Sequence, residues 1–151
     1  MHALDEAKAY ACIGNHQKYP WKPMPWPGIF NKVLFCDPVM GTTLELAKIE
    51  KGARFPVHYH TTVQTLFLLS GRVKSDDRVI EPGTFDVIPA GQRHGGYVGE
   101  EESVQFKFFS ALPVYLVEDG TILIYRKDGS IINCGASDFV KQLRSPSLIA
   151  P

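Results

Sequence analysis

From Gly28 onward, the sequence is divided into short apolar or alternating segments separated by turn residues. Typical segments read TTLELAKIE, VQTLFLLSG and SVQFKFFS, and they are rich in β-branched and aromatic residues. The separators EKG, EPG, PAGQ and KDGS combine glycine with proline or charged residues. Many short strands at this spacing predict an all-β chain that folds as an antiparallel sandwich or barrel.

Both ends of the chain differ from this β-rich region. Residues 4–12 predict a short helix, and the segment YPWKPMPWPG has too many prolines for a helix or a central strand. It predicts an extended arm, which could cover the protein's own core, line a ligand pocket or contact a second copy. The segment SDFVKQLRS predicts a C-terminal helix. We therefore expect one domain over 1–151, with an arm at 1–28, a barrel at 29–135 and a helix and tail at 136–151.

Charge and cysteine content narrow the classes of partner and compartment. Lys+Arg and Asp+Glu are both 16, so the net charge is zero, and no basic stripe suggests nucleic-acid binding. No apolar run approaches the length of a membrane span, and the first residues lack the apolar region of a secretory signal. The three cysteines are scattered without a C-x-x-C pair, which favours a reducing cytoplasm.

Three histidines have the spacing of a possible metal site. His58 and His60 are two residues apart, so on a strand their side chains point to the same face. His94 follows the turn sequence IPAGQ, and closure of a barrel could bring it opposite the first two. Imidazole suits Zn, Fe, Ni and Cu, although a structural or surface role for each histidine stays open at this point.

The glycines, proline and histidines around these positions resemble the two motifs of the cupins, G-x5-H-x-H-x3,4-E-x6-G and G-x5-P-x-G-x2-H-x3-N. The resemblance implies a double-stranded β-helix, also called a jelly-roll barrel, with a metal held by His58, His60 and His94. It also favours a homodimer. The matching anchors are Gly52, His58, His60 and Gly71, followed by Gly83, Pro89, Gly91 and His94.

Two positions depart from the cupin pattern, with Gln64 in place of the glutamate and Val98 in place of the asparagine. Three neutral histidines leave a divalent ion with about two positive charges, which favours a chelating anionic ligand. Gln64 could bind the metal through its carbonyl oxygen or hydrogen-bond a bound water, and loss of the metal is the alternative. Glu45 could supply a carboxylate instead, but a solvent-facing position is the favoured interpretation.

The segment FKFFSALPVYLVEDGTILIYRKDG is similar to the end of cupins of the 2,4′-dihydroxyacetophenone dioxygenase type, and the opening WKPMPWPGIFNKVLF is similar to the same group. This resemblance implies an Fe(II) dioxygenase that uses O2 to cleave a carbon–carbon bond in a small hydroxyketone or β-diketone. Bound Zn or Ni is also compatible with three histidines. The alternatives are a non-enzymatic Zn sensor-like cupin and a metal-dependent isomerase or lyase.

The candidate catalytic residues are Gln64, Tyr97 and Lys107. Within SVQFKFFS, Gln105 and Lys107 share one face, and Phe106 and Phe108 share the other. The favoured interpretation places Phe106 and Phe108 in the core, whereas inward-facing Gln105 and Lys107 would orient an anionic substrate. Tyr97 could donate a hydrogen bond to the substrate or simply pack. The candidate pocket walls are Tyr59, Leu66, Phe67, Tyr97, Gln105, Phe106, Lys107 and Phe108.

Overall fold

The computed structural model describes residues 14–76 and 78–136. The helices expected at the two chain ends lie outside these residues and stay predictions. Within the described part, one short 3-10 turn at His16–Lys18 precedes fourteen strands. The strands are β1 (Lys22–Pro23), β2 (Ile29–Cys36), β3 (Thr43–Ile49), β4 (Arg54–Phe55), β5 (His58–His60), β6 (Gln64–Ser70), β7 (Val73–Ser75), β8 (Arg78–Ile80), β9 (Phe85–Ile88), β10 (Tyr97–Gly99), β11 (Ser103–Phe109), β12 (Val114–Val117), β13 (Thr121–Tyr125) and β14 (Ile131–Ala136).

The strands form three antiparallel sheets. The largest has the order β1-β2-β3-β11-β6-β9, and two four-stranded sheets have the orders β4-β10-β7-β8 and β14-β13-β12-β5. Neighbours in the sheets are often distant in sequence, as in the pairing of β3 with β11. These crossovers are typical of a jelly roll, and the predicted all-β fold class is confirmed. The turn glycines of both motifs, at positions 52, 71, 83 and 91, have positive φ.

The core is formed by inward-facing residues of all three sheets. Alternate residues of each strand point inward, as in β11, where Gln105, Lys107 and Phe109 are buried. Tyr115 on β12 is fully buried and packs beside His58 and His60. Its neighbours in the core cluster are Ile29, Ile49, Phe55, Leu68, Val73, Tyr97, Phe109, Val117, Leu123 and Tyr125.

The outer face of the large sheet carries Phe67, Phe106 and Phe108, which were candidate pocket walls; Phe106 and Phe108 were also expected in the core. Phe67 on β6 is 42% exposed, and Phe108 on β11 is 36% exposed. Phe106 is only partly buried and pairs with Phe67 across the strands. The expectation that these three side chains line an internal pocket is therefore wrong. The reason is the strand alternation itself, because it turns Gln105 and Lys107 inward instead.

The proline-rich arm packs against the barrel. Trp26 meets Phe55 edge to face with 5.3 Å between ring centroids, and β1 pairs with β2. The Lys32 ammonium lies 4.3 Å from the centroid of the Trp21 ring on the outer face. The arm also lines a cavity of about 340 Å³ together with Asn31. The sequence left three roles open for the arm. In the structure it covers the core of the barrel and forms one wall of a cavity.

Candidate metal centre

Backbone pairing brings the three histidines together. His58 and His60 lie on β5, which is held in the sheet by β12. His94 forms an isolated β-bridge with His58, in which each backbone N–H donates to the other residue's carbonyl at 2.8 and 3.0 Å. The expected convergence of residues from both motifs is therefore built into main-chain hydrogen bonds.

The three imidazole rings surround one point. Their centroids are 4.7 Å apart for His58 and His60, 4.2 Å for His58 and His94, and 4.4 Å for His60 and His94. One ligand nitrogen of each ring lies within 4.8 Å of the others. His58 and His60 are buried, and His94 is partly buried. A single ion could be shared by all three side chains.

Backbone carbonyls fix the tautomers of two of the rings. The His58 Nδ1 lies 2.8 Å from the Pro56 carbonyl oxygen, and the His94 Nδ1 lies 2.9 Å from the Gln92 carbonyl oxygen. A carbonyl can only accept, so each Nδ1 carries the hydrogen and each Nε2 keeps its lone pair. Such outer hydrogen bonds are typical of histidines that bind metals.

Burial favours the neutral form of His60 and His94, the form in which imidazole binds metals. It lowers the pKa of His60, and the proximity of His58, His94 and Lys107 lowers it further. The pKa of His94 is also lowered by burial, against the opposing effect of its hydrogen bond to Gln92. Neither ring nitrogen of His60 has a hydrogen-bond partner among the described residues. These features fit a divalent transition-metal ion bound by three neutral nitrogens.

Gln64 faces the interior at the start of β6, where it is 1% exposed. It pairs across the strands with Phe109, whose ring lies 5.3 Å from that of His60. Its Oε1 is buried and accepts no hydrogen bond from the described residues. A buried carbonyl without a donor is costly, so this atom suits a bound water, a ligand or the ion. Its role as a ligand or catalytic residue stays a prediction.

Tyr97 lies beside His94 in the wall of a cavity of about 250 Å³. Burial, and secondarily the charge of Asp86, raises the pKa of the phenol. The hydroxyl therefore stays protonated at neutral pH and is able to donate to a bound molecule. The cavity opens next to His94, and it has a polar, charged lining. Its other walls are Val57, Ser75, Asp76, Arg78, Ile80, Asp86, Gln92, Arg93 and Gly95.

Gly95 is a residue of the site that sequence reasoning missed. Its φ is +98°, and a Cβ at this position would lie 2.6 Å from the Pro56 carbonyl oxygen and 2.8 Å from the His58 Nδ1. Only a glycine therefore lets the chain after His94 pass close to the hydrogen bond that orients His58. The consecutive glycines after His94 were the available signal for this close approach.

Glu45 and Lys107 correct two expectations about charged residues. Both side chains were expected to face solvent, but Glu45 is 1% exposed and Lys107 is 3% exposed. They are directly opposite each other on β3 and β11, and the Lys107 Nζ lies 3.8 Å from the Glu45 Oε1. Each charge can be buried because the other one is present. The carboxylate does not belong to the group of side chains that could share an ion.

Comparison with known families agrees with this arrangement. The model of the ChrR cupin-like domain matches residues 11–113, which is about two-thirds of the chain. The chain belongs to the ChrR cupin-like family. No curated protein is significantly similar to this cupin.

Solved cupin structures share the fold at low identity. A proposed acetylacetone dioxygenase from Methylibium petroleiphilum PM1 is 19% identical, with a TM-score of 0.60, and the match covers 93% of this chain and 95% of that chain. The acetylacetone dioxygenase from Acinetobacter johnsonii is 16% identical, with a TM-score of 0.56 and coverage of 90% and 92%. The polyketide cyclase RemF from Streptomyces resistomycificus is 13% identical, with a TM-score of 0.60 and coverage of 91% and 96%.

At these identities the three structures establish the cupin fold and leave the reaction open, since one fold supports several chemistries. No helix in the described part of this cupin has the length and hydropathy of a membrane span.

Proposed function

We propose that this cupin is a mononuclear Fe(II) dioxygenase that cleaves a carbon–carbon bond in a small hydroxyketone or β-diketone, with O2 as the co-substrate. The observation that carries the proposal is a group of three converging histidines, two of them buried, with glutamine in place of the usual acid. The fold shared with two acetylacetone dioxygenases is compatible with it.

The histidine cluster would hold the ion through His58, His60 and His94. An Fe(II) ion bound there supplies Lewis acidity toward a chelated enolate and a means of reacting with O2. Three neutral ligands leave about two positive charges at the ion, so an anionic ligand with two oxygens is favoured over a neutral one. Zn and Ni also suit this set of donors.

Three further side chains have proposed roles around the substrate. Gln64 offers a buried carbonyl oxygen that can orient a bound water or accept from a ligand hydroxyl. Tyr97 keeps its proton and can donate it in a hydrogen bond at the cavity wall. Lys107 can supply positive charge from the barrel interior, where its ammonium packs against the Phe55 ring beside His58.

The test is oxygen consumption by protein loaded anaerobically with Fe(II), with acetylacetone and 2,4′-dihydroxyacetophenone as substrates. We expect O2 uptake that depends on both iron and ketone, together with carboxylic acid products. The single variants His58→Ala, His60→Ala and His94→Ala should each lose bound iron and O2 uptake. Iron-loaded wild type that consumes no O2 with a broad panel of ketones would refute the dioxygenase.

Two other outcomes would identify the alternatives. Turnover of a ketone that continues without O2 would indicate an isomerase or lyase, a non-oxidative class that the shared fold with a polyketide cyclase also leaves open. Tight Zn binding without turnover of any substrate would indicate a non-enzymatic metal-binding cupin.

A further inference from the structure

Four buried residues of the barrel interior form a polar network, namely Asn31, Glu45, Lys107 and Tyr125. Glu45 and Lys107 are its charged members, and both face the interior from neighbouring strands. Removing two charges from water is expensive, and their mutual attraction often fails to repay the cost. A well-packed apolar pair would fill the same space, so packing alone does not account for these residues.

The Glu45 carboxylate is fixed from the side away from Lys107. The Tyr125 hydroxyl donates to the Glu45 Oε2 at 2.9 Å, and the Asn31 Nδ2 donates to the same oxygen at 3.3 Å. The Asn31 Nδ2 also lies 3.3 Å from the Tyr125 hydroxyl, which ties the two donors together. With Oε2 occupied, the carboxylate presents Oε1 to the Lys107 ammonium.

The Lys107 ammonium packs against an aromatic ring that also contacts one of the histidines. Its Nζ lies 4.9 Å from the centroid of the Phe55 ring, and that ring lies 4.8 Å from the His58 ring. Lys107 also shares the inward face of β11 with Phe109, whose ring lies 5.3 Å from that of His60. Lys107 is therefore flanked by two aromatic rings that pack directly against the histidine cluster.

The ion pair leaves most of the ammonium's hydrogen-bonding capacity unused. An ammonium has three N–H donors, and a single carboxylate oxygen 3.8 Å away engages at most one of them. Burial lowers the pKa of Lys107, and the Glu45 carboxylate opposes that shift. Glu45 thus favours the charged form of Lys107 without saturating its donors.

We propose that Lys107 contacts the anionic oxygen of a ligand held at the histidine cluster, and that Glu45 is a positioning residue that keeps the ammonium charged and in place. The ligand class is a small anion, such as an enolate or a carboxylate. This inference rests on the proposed function only in requiring that the site binds an anion, and it does not require a reaction with O2.

The experiment measures binding of azide to zinc-loaded protein by isothermal titration calorimetry, with imidazole as a neutral zinc ligand for comparison. The variants are Lys107→Met, Glu45→Gln and the double variant E45Q/K107M. Loss of the ammonium that contacts the anion should raise the Kd for azide about tenfold, both in Lys107→Met and in the double variant. The Kd for imidazole should change less than about twofold, because a neutral ligand gains little from the ammonium.

The double variant separates this role from a purely structural ion pair. It removes both charges and leaves no unpaired charge in the core, so it folds even if a single variant does not. A structural pair predicts that the double variant binds azide as tightly as wild type, and this result would overturn the proposal. Loss of zinc from the double variant, or a zinc-loaded wild type that does not bind azide, would overturn it as well.

This outcome is independent of the dioxygenase assay. Azide binding needs neither O2 nor turnover, so an inactive protein can still show the expected difference between azide and imidazole. Conversely, an active dioxygenase whose azide affinity is unchanged in E45Q/K107M would retain the proposed function and lose the role of Lys107 and Glu45.

Discussion

Replacing Gly95 with alanine is expected to damage the metal site more than it damages the fold. The added methyl group would lie 2.6 Å from the Pro56 carbonyl oxygen and 2.8 Å from the His58 Nδ1, the two atoms of the hydrogen bond that orients His58. Gly83 provides the matched control. Its φ of +91° is close to the +98° of Gly95, but a Cβ there would meet nothing within 4 Å.

The expected magnitudes separate the two effects. A left-handed backbone costs alanine about 1–2 kcal/mol in either variant. Gly95→Ala adds the loss of one hydrogen bond, about 1 kcal/mol. At roughly 2–4 °C per kcal/mol for a chain of this length, Gly83→Ala should lower the Tm by about 2–8 °C, and Gly95→Ala by a few degrees more. Displacement of an orienting partner typically weakens metal binding by about 10–100-fold, and this loss should be confined to Gly95→Ala.

The assay combines calorimetric Tm values of the metal-free proteins with the Kd for zinc measured by competition with a chelator. The expected pattern is an unchanged Kd in Gly83→Ala and a clearly weaker one in Gly95→Ala. If both variants bind zinc equally well and melt together, the close approach of Gly95 to His58 does not position the ligand. The geometric reasoning about this turn would then be refuted.

Three further predictions concern charge, pH and association. Gln64→Glu adds a carboxylate beside three neutral histidines and should tighten zinc binding on the order of tenfold while weakening azide binding; unchanged affinities would place position 64 away from the ion. In the metal-free protein, burial holds the pKa of His60 below its ordinary 6.5, so its neutral form contributes stability that is present above that pH and is lost as the pH falls. The free energy of unfolding, measured by urea denaturation between about pH 5 and 6.5, should therefore fall more steeply with decreasing pH in wild type than in His60→Gln, by up to about 1.4 kcal/mol per pH unit. Equal pH dependence in the two proteins would contradict this. Phe85 is 63% exposed beside Phe67 on the outer face, so Phe85→Asp should convert the expected homodimer to a monomer in sedimentation, whereas a monomeric wild type would contradict the homodimer.

Turn residues and strand alternation predicted the fold class and placed His58 and His60 on one face, whereas the convergence of His94 with them was implied by the resemblance to the cupins. Both are local properties, since a glycine with positive φ or an H-x-H spacing on a strand needs no knowledge of the partner strand. The same alternation gives two faces for SVQFKFFS but does not say which face is buried. Hydrophobicity favoured the face with Phe106 and Phe108, and this choice was wrong, because the buried face carries Gln105, Lys107 and Phe109.

The burial of Lys107 could not be inferred without the sheet register. A lysine is acceptable in the interior only when a carboxylate lies opposite it, and Glu45 precedes it by many residues on a different strand. Likewise, the need for glycine at position 95 depends on the location of the Pro56 carbonyl, which the pairing of His58 with His94 determines. Both features depend on contacts between distant parts of the chain.

The bridge between His58 and His94 ties assembly of the site to closure of the barrel. These two residues cannot pair unless the intervening segment folds back on itself. A bound ion would therefore cross-link the two ends of a long loop. The free-energy cost of closing such a loop rises by only about 0.6 kcal/mol for each doubling of its length. This segment supplies Ser75, Arg78 and Asp86 to the cavity wall. Its length and sequence can therefore change during evolution, and with them the molecules that enter the cavity, while the three histidines stay in place.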